Sequence, residues 1–173
     1  TTVRRAAARC LARPRGTAAK AVAAREIAAP KFGVLPCARG VAVAAAAPRS
    51  DAVATPWLEV PDARLFLAHA ARALYRTAPP PRLVGVTGTK GKSTTAHALA
   101  HLLDAAGNPA GLLGTVVYRL GTREIEATRT TPEAPDTERY LQEMVAAGRA
   151  TCVMEVSSHA IAQQRVAALP FHM

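Results

Sequence analysis

The chain has 173 residues, a formal net charge of +10 and three cysteines. This length suffices for one well-packed domain, or for one domain and part of another. No apolar run reaches the roughly 20 residues of a membrane-spanning helix, and no signal-peptide pattern is visible, so we expect a cytoplasmic protein. Cys10, Cys37 and Cys152 are too widely spaced to indicate a disulfide framework or a zinc site.

The first 31 residues form a basic tail rich in Arg and Ala. Residues 1–25 hold seven Lys or Arg and no acidic residue, so we expect the tail to be disordered. Three interpretations remain open: an organelle transit peptide, an arm that binds the phosphates of nucleic acid or a membrane surface, and a solvated extension. Nucleic acid is an expected partner only through this tail, and an organelle location requires the first interpretation.

Residues 32–79 have the pattern of a small, partial α/β domain. Apolar runs of strand length lie at 40–47 and 57–60, and an amphipathic helix is predicted over 61–76. The apolar face of that helix holds Leu67, Ala70, Ala71 and Leu74. Consecutive prolines at 79–81 forbid helix, so we place a domain boundary between residues 79 and 80.

The segment 80–173 alternates apolar strands with amphipathic helices. Strands are predicted at 82–86, 111–120, 123–128 and 150–156. The first helix, over 93–106, is predicted to face inward with Leu99, Leu102, Leu103 and Ala106 and to stop at Gly107. The second is predicted to face inward with Tyr140, Leu141, Met144 and Val145 and to end at Gly148. This alternation predicts an α/β fold, a mostly parallel sheet flanked by helices on both faces.

A glycine loop, GTKGKS at 88–93, joins the first of these strands to the first helix. Such a loop turns backbone N–H groups and the positive end of the helix dipole toward an anion. Lys92 adds a full charge for the outer phosphates, and the Ser93 hydroxyl can bind Mg²⁺, which favours ATP or GTP. The strict P-loop pattern requires glycine where this chain has Val86, so the spacing is a variant.

Three further motifs follow the loop. GVTGTKGKSTT precedes AGLLGTVVYRLG, TRTTPEAPD and VMEVSSHAIAQQRV. In this order and spacing the motifs resemble the Mur ligase family, and within it the MurE type, the UDP-N-acetylmuramoyl-tripeptide synthetases. The resemblance is strong over residues 82–173, weak over 32–81 and absent from the tail. It implies an incomplete P-loop-type central domain at 80–173, preceded by a remnant of the N-terminal substrate domain at 32–79.

The resemblance also implies roles for individual residues. The residues that the resemblance assigns to the ATP triphosphate are Gly88, Thr89, Lys90, Gly91, Lys92, Ser93 and Thr94. Those implied for the UDP-MurNAc-dipeptide are Thr130, Thr131, Ser157, Gln163 and Arg165. Ser93, Glu155 and His159 are the implied Mg²⁺ ligands, and Lys92, Glu155 and His159 the implied catalytic residues. Many relatives carry Asn in place of Lys90, and Arg129 lies at a variable substrate-side position.

Physical chemistry supports part of this assignment without the family. Glu155 ends an otherwise apolar strand, where an unpaired buried charge is costly, so a metal ion or another cationic partner is expected. In parallel sheets, ligands bind at the carboxyl ends of the strands. Ser157 to His159 could suggest a nucleophile and its base, but no orienting acid is evident. His97 and His101 lie four residues apart, yet no third metal ligand is indicated.

The reaction that the resemblance implies is formation of an amide bond driven by ATP. The acceptor carboxylate of UDP-MurNAc-L-Ala-D-Glu becomes an acyl phosphate, which the amine of meso-diaminopimelate or L-lysine attacks. Family members continue beyond residue 173 with a metal-binding carbamylated lysine and an amino-acid-selecting domain, so we expect weak or no ligase activity from these residues alone. The alternatives are a non-catalytic nucleotide-binding remnant or organellar partner protein, and, less favoured, a relative of the folylpolyglutamate synthetases.

Overall fold

The structure is a computed structural model that describes residues 32–37, 40–45, 57–75 and 79–172. The chain divides into two compact units, residues 1–74 and 75–173. The predictions for the basic tail lie outside the described residues. The domain boundary between residues 79 and 80 stays a prediction.

The first unit contains a three-stranded sheet. Its strands are β1 (Phe32–Cys37), β2 (Gly40–Ala45) and β3 (Trp57–Glu59), in the order β1-β2-β3. β1 and β2 are antiparallel, whereas β2 and β3 are parallel. The predicted strands at 40–47 and 57–60 are therefore confirmed, and β1 is an additional strand.

Helix α1 (Ala63–Tyr75) confirms the helix predicted after β3. The Asp62 carboxylate caps it, because Oδ1 accepts hydrogen bonds from the N–H groups of Arg64 at 2.9 Å and Leu65 at 3.0 Å. The buried residues of α1 are Ala63, Phe66, Ala68, Ala70 and Ala71. The inward position predicted for Leu74 is wrong, because its side chain is 42% exposed.

The second unit contains a five-stranded sheet and three helices. Its strands are β4 (Arg82–Val86), β5 (Ala110–Leu113), β6 (Val117–Arg119), β7 (Glu124–Glu126) and β8 (Thr151–Glu155), in the order β4-β8-β5-β6-β7. Its helices are α2 (Lys92–Ala105), α3 (Ala134–Ala146) and the short α4 (Ser158–Ala162). The α/β class is confirmed, and α4 is a helix that the sequence pattern did not indicate.

The sheet is mixed. β8 pairs in parallel with β4 on one side and β5 on the other, but the β5–β6 and β6–β7 pairings are antiparallel. The prediction of a single strand over 111–120 is wrong, because the chain turns back after β5. The Gly114 N–H donates to the Val117 carbonyl across that turn at 3.2 Å.

Helices cover both faces of this sheet. On one face Ala96 and Ala100 of α2 pack against a cluster that contains Leu112 and Val153. On the other face Leu141 and Met144 of α3 belong to a larger core. The core residues of that face are Leu83, Leu113, Tyr118, Leu120, Tyr140, Leu141, Met144, Cys152, Met154 and Val156. Strand β8 is therefore buried from both sides, as its continuous apolar sequence predicted.

The face of α2 was predicted only in part. Leu99 and Leu103 pack against the sheet as expected, but Leu102 is 64% exposed and Ala106 is also exposed. The buried residues of α2 are Ala96 and Ala100, and small side chains let a helix lie close to a sheet. Among the described residues, no helix has the length and apolar composition that crossing a bilayer requires.

Candidate functional site

The candidate site lies where the three parallel strands end. The glycine loop follows β4, the β5–β6 turn follows β5, and Glu155 is the last residue of β8. Since β4, β8 and β5 are neighbours and run in the same direction, these three segments meet at one edge of the sheet. The position agrees with the expectation that ligands bind at the carboxyl ends of parallel strands.

The glycine loop has the backbone of an anion cradle. Gly88 and Gly91 have φ angles of 144° and 78°, values that strongly favour glycine. Gly91 is the N-cap of α2 and provides no capping side chain, so no side chain competes with a ligand for the first N–H groups of the helix. The Lys92 ammonium donates to the Gly88 carbonyl at 2.7 Å and therefore lies directly over the loop. These features fit a phosphate group.

Glu155 connects the loop to the neighbouring strand. Its side chain is 0% exposed, and its carboxylate accepts hydrogen bonds from the Ser93 hydroxyl at 2.9 Å and from the Thr115 N–H at 2.9 Å. The Thr115 hydroxyl makes a third bond, at 3.1 Å. The structure thus brings together Ser93 and Glu155, two of the three predicted metal ligands. Thr115 belongs to the same cluster and was missed, although it stands in one of the motifs.

Gly114 allows this close approach. A Cβ atom at Gly114 would lie 2.7 Å from Oε1 of Glu155, which is closer than real Cβ contacts. The glycine in the β5–β6 turn therefore leaves the room that the carboxylate occupies.

The oxygen atoms of this cluster fit Mg²⁺. A carboxylate and two hydroxyls are hard donors, and magnesium usually takes only one or two protein carboxylates beside phosphate oxygens and water. His159, by contrast, is an exposed residue of α4. No three His, Cys, Asp or Glu side chains converge in the described ranges 32–37, 40–45, 57–75 and 79–172. The metal role of His159 stays a prediction.

The TTPE segment, residues 130–133, lies beside Glu155. Thr131 is 1% exposed, and its hydroxyl donates to the Glu155 carbonyl at 2.8 Å and accepts from the Ser157 N–H at 3.0 Å. The Thr130 hydroxyl lies 3.2 Å from that of Thr115. Ser157 caps α4, since its hydroxyl accepts from the Ala160 N–H at 3.2 Å. Thr130, Thr131 and Ser157 are thereby brought to the same edge as the loop.

Arg165 is held in place by three oxygen atoms. Its guanidinium donates to the Thr131 carbonyl at 3.1 Å and to the Gln163 amide oxygen at 2.5 Å, and it forms an ion pair with Glu133 at 3.0 Å. The predicted substrate residues Gln163, Arg165 and Thr131 are therefore in contact. Glu133 was not among the predicted site residues, although it is the acid of the TTPE motif. Its carboxylate also lies 3.7 Å from the Arg129 guanidinium.

The other polar groups singled out in the sequence lie outside this cluster or have structural partners. His97 and His101 are exposed on α2, and His97 Nδ1 lies 2.9 Å from the Ser93 carbonyl. Cys152 is fully buried in β8, and burial raises the pKa of its thiol to about 12. It is therefore an inert core residue.

Comparison with known proteins gives a consistent picture. The Mur ligase middle domain profile matches residues 86–173. A UDP-N-acetylmuramyl-tripeptide synthetase of Deinococcus radiodurans is 50% identical over 115 residues, which are 64% of this chain and 24% of that protein. A UDP-N-acetylmuramoyl-L-alanyl-D-glutamate–2,6-diaminopimelate ligase of Geobacter metallireducens is 45% identical over 111 residues, 64% of this chain and 22% of the relative.

A longer match and a solved structure extend the comparison. The 2,6-diaminopimelate ligase of Solibacter usitatus is 40% identical over 145 residues, 82% of this chain and 29% of that protein. A solved structure of a UDP-N-acetylmuramoyl-L-alanyl-D-glutamate–2,6-diaminopimelate ligase matches with a TM-score of 0.58 and 26% identity. The match covers 72% of this chain and 26% of that one. The chain thus spans less than a third of the length of these relatives. The profile nevertheless matches more than half of the chain. The chain therefore belongs to the Mur ligase middle-domain family.

Proposed function

We propose that the chain is the nucleotide-binding part of an ATP-dependent ligase that adds a diamino acid to UDP-MurNAc-L-Ala-D-Glu in the cytoplasm. The observation that carries the proposal is the hydrogen bond of 2.9 Å between Ser93 of the glycine loop and the buried carboxylate of Glu155. It unites a phosphate-binding loop with an acid suited to a metal ion. The printed names of the relatives favour 2,6-diaminopimelate over L-lysine as the amino acid added.

The loop is the proposed site of the ATP triphosphate. Residues 88–94 would receive the phosphate oxygens on backbone N–H groups, and Lys92 would exchange the Gly88 carbonyl for an outer phosphate. Lys90 is exposed in the same loop and adds a second positive charge near the triphosphate. These groups neutralise charge on the phosphoryl group as it is transferred, which is the main task in phosphoryl transfer.

The acceptor is proposed to bind on the side of the TTPE segment. Arg165 presents a guanidinium whose position is fixed by Glu133, Gln163 and the Thr131 carbonyl. A guanidinium suits a phosphate or carboxylate group, and the Nε–H of Arg165 has no hydrogen-bond partner among the described residues. Thr130 and Ser157 provide hydroxyls at the same edge of the sheet, next to the proposed metal ligands.

The proposed reaction then needs no covalent nucleophile from the protein. The acceptor carboxylate attacks the terminal phosphorus of ATP, the bond to ADP breaks, and an acyl phosphate forms. The amine of the diamino acid attacks the acyl carbon, inorganic phosphate leaves, and the amine loses a proton. Mg²⁺ bound by Ser93 and Glu155 would supply charge neutralisation between the phosphates and the acceptor. The protein residues orient the two substrates and exclude water.

Calorimetric titration of the chain with ATP in the presence of Mg²⁺ tests the nucleotide site. Lys92→Ala should weaken ATP binding about tenfold or more, since a hydrogen bond to a charged group contributes about 1.5–3 kcal/mol. His101→Ala is the matched control, because His101 is exposed on the same helix outside the loop, and it should bind ATP like the unchanged chain.

Titration with UDP-MurNAc-L-Ala-D-Glu tests the acceptor site. Arg165→Ala should lower the affinity for this ligand and leave the affinity for ATP unchanged. Equal ATP affinity of the Lys92→Ala variant and the unchanged chain would refute the proposed nucleotide site. Binding of ATP without any binding of the UDP-linked acceptor would instead support a nucleotide-binding remnant without ligase function.

A further inference from the structure

Tyr118 joins the core of the second unit to the backbone of Arg129. It is the central residue of β6, is 1% exposed, and packs its ring on Tyr140 of α3, with ring centroids 5.3 Å apart. Its hydroxyl leaves this core and reaches the backbone of Arg129. There it donates to the Arg129 carbonyl and accepts from the Arg129 N–H at 3.0 Å. One hydroxyl therefore satisfies both backbone groups of a single residue.

Arg129 belongs to a segment that has no regular structure of its own. Residues 127–133, between β7 and α3, form neither helix nor strand. Three successive residues are instead bound by three different parts of the chain. Arg129 is bound by Tyr118 of β6, and the Thr130 hydroxyl contacts that of Thr115 in the β5–β6 turn. The Thr131 hydroxyl bonds to the Glu155 carbonyl at the end of β8 and to the Ser157 N–H after it. The conformation of this segment thus depends on side-chain hydroxyls.

We propose that Tyr118 is a positioning residue for the acceptor site. Its hydroxyl fixes the peptide groups on either side of Arg129, and this fixes the direction of the Thr130 side chain. The ligand it serves is the phosphate-bearing acceptor, so the inference rests on the proposed function for the identity of that ligand. Tyr118 is not proposed to touch the acceptor; its hydroxyl acts through the backbone of Arg129.

Tyr118→Phe is a suitable test because it removes the hydroxyl and keeps the ring that packs on Tyr140. Two backbone groups of Arg129 then lose their partner, and each such bond contributes about 0.5–1.5 kcal/mol. We expect the Arg129 amide to exchange with solvent about tenfold faster or more, as measured by NMR hydrogen exchange. Affinity for UDP-MurNAc-L-Ala-D-Glu should fall about threefold to tenfold. Affinity for ATP with Mg²⁺ should stay unchanged.

Tyr140→Phe is the matched control. Tyr140 belongs to the same core and is 8% exposed. Its ring lies 4.6 Å from the central carbon of the Arg139 guanidinium. Loss of its hydroxyl should leave both the exchange of the Arg129 amide and the affinity for the acceptor unchanged. A general loss of packing would speed amide exchange in both variants alike and would lower the affinity for both ligands.

Two results would overturn the inference. The first is unchanged exchange of the Arg129 amide in Tyr118→Phe. The second is faster exchange with unchanged affinity for the acceptor, which would make the hydroxyl a structural group only. If the unchanged chain binds ATP but no UDP-linked acceptor, the acceptor part of the proposed function fails and this inference fails with it. The exchange experiment distinguishes these cases, because it needs no ligand.

Discussion

The hydroxyl of Ser93 and the carboxylate of Glu155 form a hydrogen bond of 2.9 Å although 62 residues of chain separate them. Ser93 lies in the first turn of α2, and Glu155 ends β8, the middle one of the three parallel strands. Their contact links the glycine loop to the interior of the sheet, so a change in the carboxylate should alter binding at the proposed nucleotide site.

Glu155→Gln should separate metal binding from folding. The amide keeps the size of the side chain and can still bond to Ser93 and Thr115, so the free energy of unfolding should change by about 1 kcal/mol or less. Affinity for ATP in the presence of Mg²⁺ should fall about tenfold or more, because the only charged ligand of the proposed metal site is lost. Calorimetry with and without Mg²⁺ measures this. Glu126→Gln, on an exposed strand position, is the control. A variant that retains the full Mg²⁺ effect would contradict the metal role.

Glu133→Ala should release Arg165. The Arg165 side chain is 10% exposed, and Glu133 is its only charged partner among the ion pairs of the described residues. We expect a loss of about 1–2 kcal/mol in the free energy of unfolding, together with weaker binding of the UDP-linked acceptor. Urea denaturation and calorimetry provide the two measurements.

Glu143→Ala is the control for that change. Glu143 pairs with Arg123 on the surface, and this bond lowers the pKa of the Glu143 carboxyl. A group with a lowered folded-state pKa stabilises the fold above its ordinary pKa of 4.5, and the contribution disappears as the pH falls through the lowered value. The variant should therefore be slightly less stable at neutral pH and differ less from the unchanged chain in acid, with acceptor binding intact. Equal loss of acceptor binding in both variants would argue against a specific role of Glu133.

Gly111→Ala should destabilise the second unit by overpacking. An added Cβ would lie 2.3 Å from the sulfur of Met144, which is fully buried in the core. We expect a cost of about 1–3 kcal/mol in the free energy of unfolding. Combining it with Met144→Ala should cost less than the sum of the two single changes, because the smaller residue makes room for the methyl group. Strict additivity in thermal or urea denaturation would show that the core relaxes around the methyl group.

Cys152 should resist alkylation while the chain is folded. Burial raises the pKa of its thiol to about 12, so almost no thiolate is present near pH 8. Iodoacetamide should modify the peptide that contains Cys152 only after unfolding in urea, as read by mass spectrometry. Because the folded-state pKa lies above the ordinary value of 9.0, its contribution to stability is complete below pH 9.0 and is lost as the pH rises toward 12. Rapid modification of the folded chain would contradict this burial.

The local elements of the second unit could be predicted because each rests on a short-range pattern. The apolar run of β8, the glycine loop and Gly148 after α3 are visible in single stretches of sequence. The break after β5 could not be predicted, since Gly114 is required there by the carboxylate of Glu155, which lies far away in the chain. Likewise the exposed position of Leu102 depends on how closely Ala96 and Ala100 approach the sheet.

The candidate site likewise combines residues that local motifs predict with residues that only long-range contacts bring into place. The motifs and their order predicted roles for Ser93, Thr131, Glu155 and Arg165. The structure brings these residues to one edge of the sheet, and the roles themselves stay predictions. Thr115 and Tyr118 act through contacts that form only when β5 and β6 are paired beside β8. Their hydrogen bonds join residues distant in sequence, and no local spacing indicates such a bond.

The bond between Lys92 and the Gly88 carbonyl would affect the entropy of binding at the proposed nucleotide site. A free lysine side chain loses about 1.5–2 kcal/mol of rotational freedom when it is immobilised. Here a hydrogen bond already restricts the side chain in the folded chain, so part of that loss occurs during folding. An arriving phosphate then replaces one oxygen acceptor with another. The loop is in this respect preorganised, and the proposed affinity for phosphate would reflect mainly the difference between a carbonyl and an anion as partners of the ammonium group.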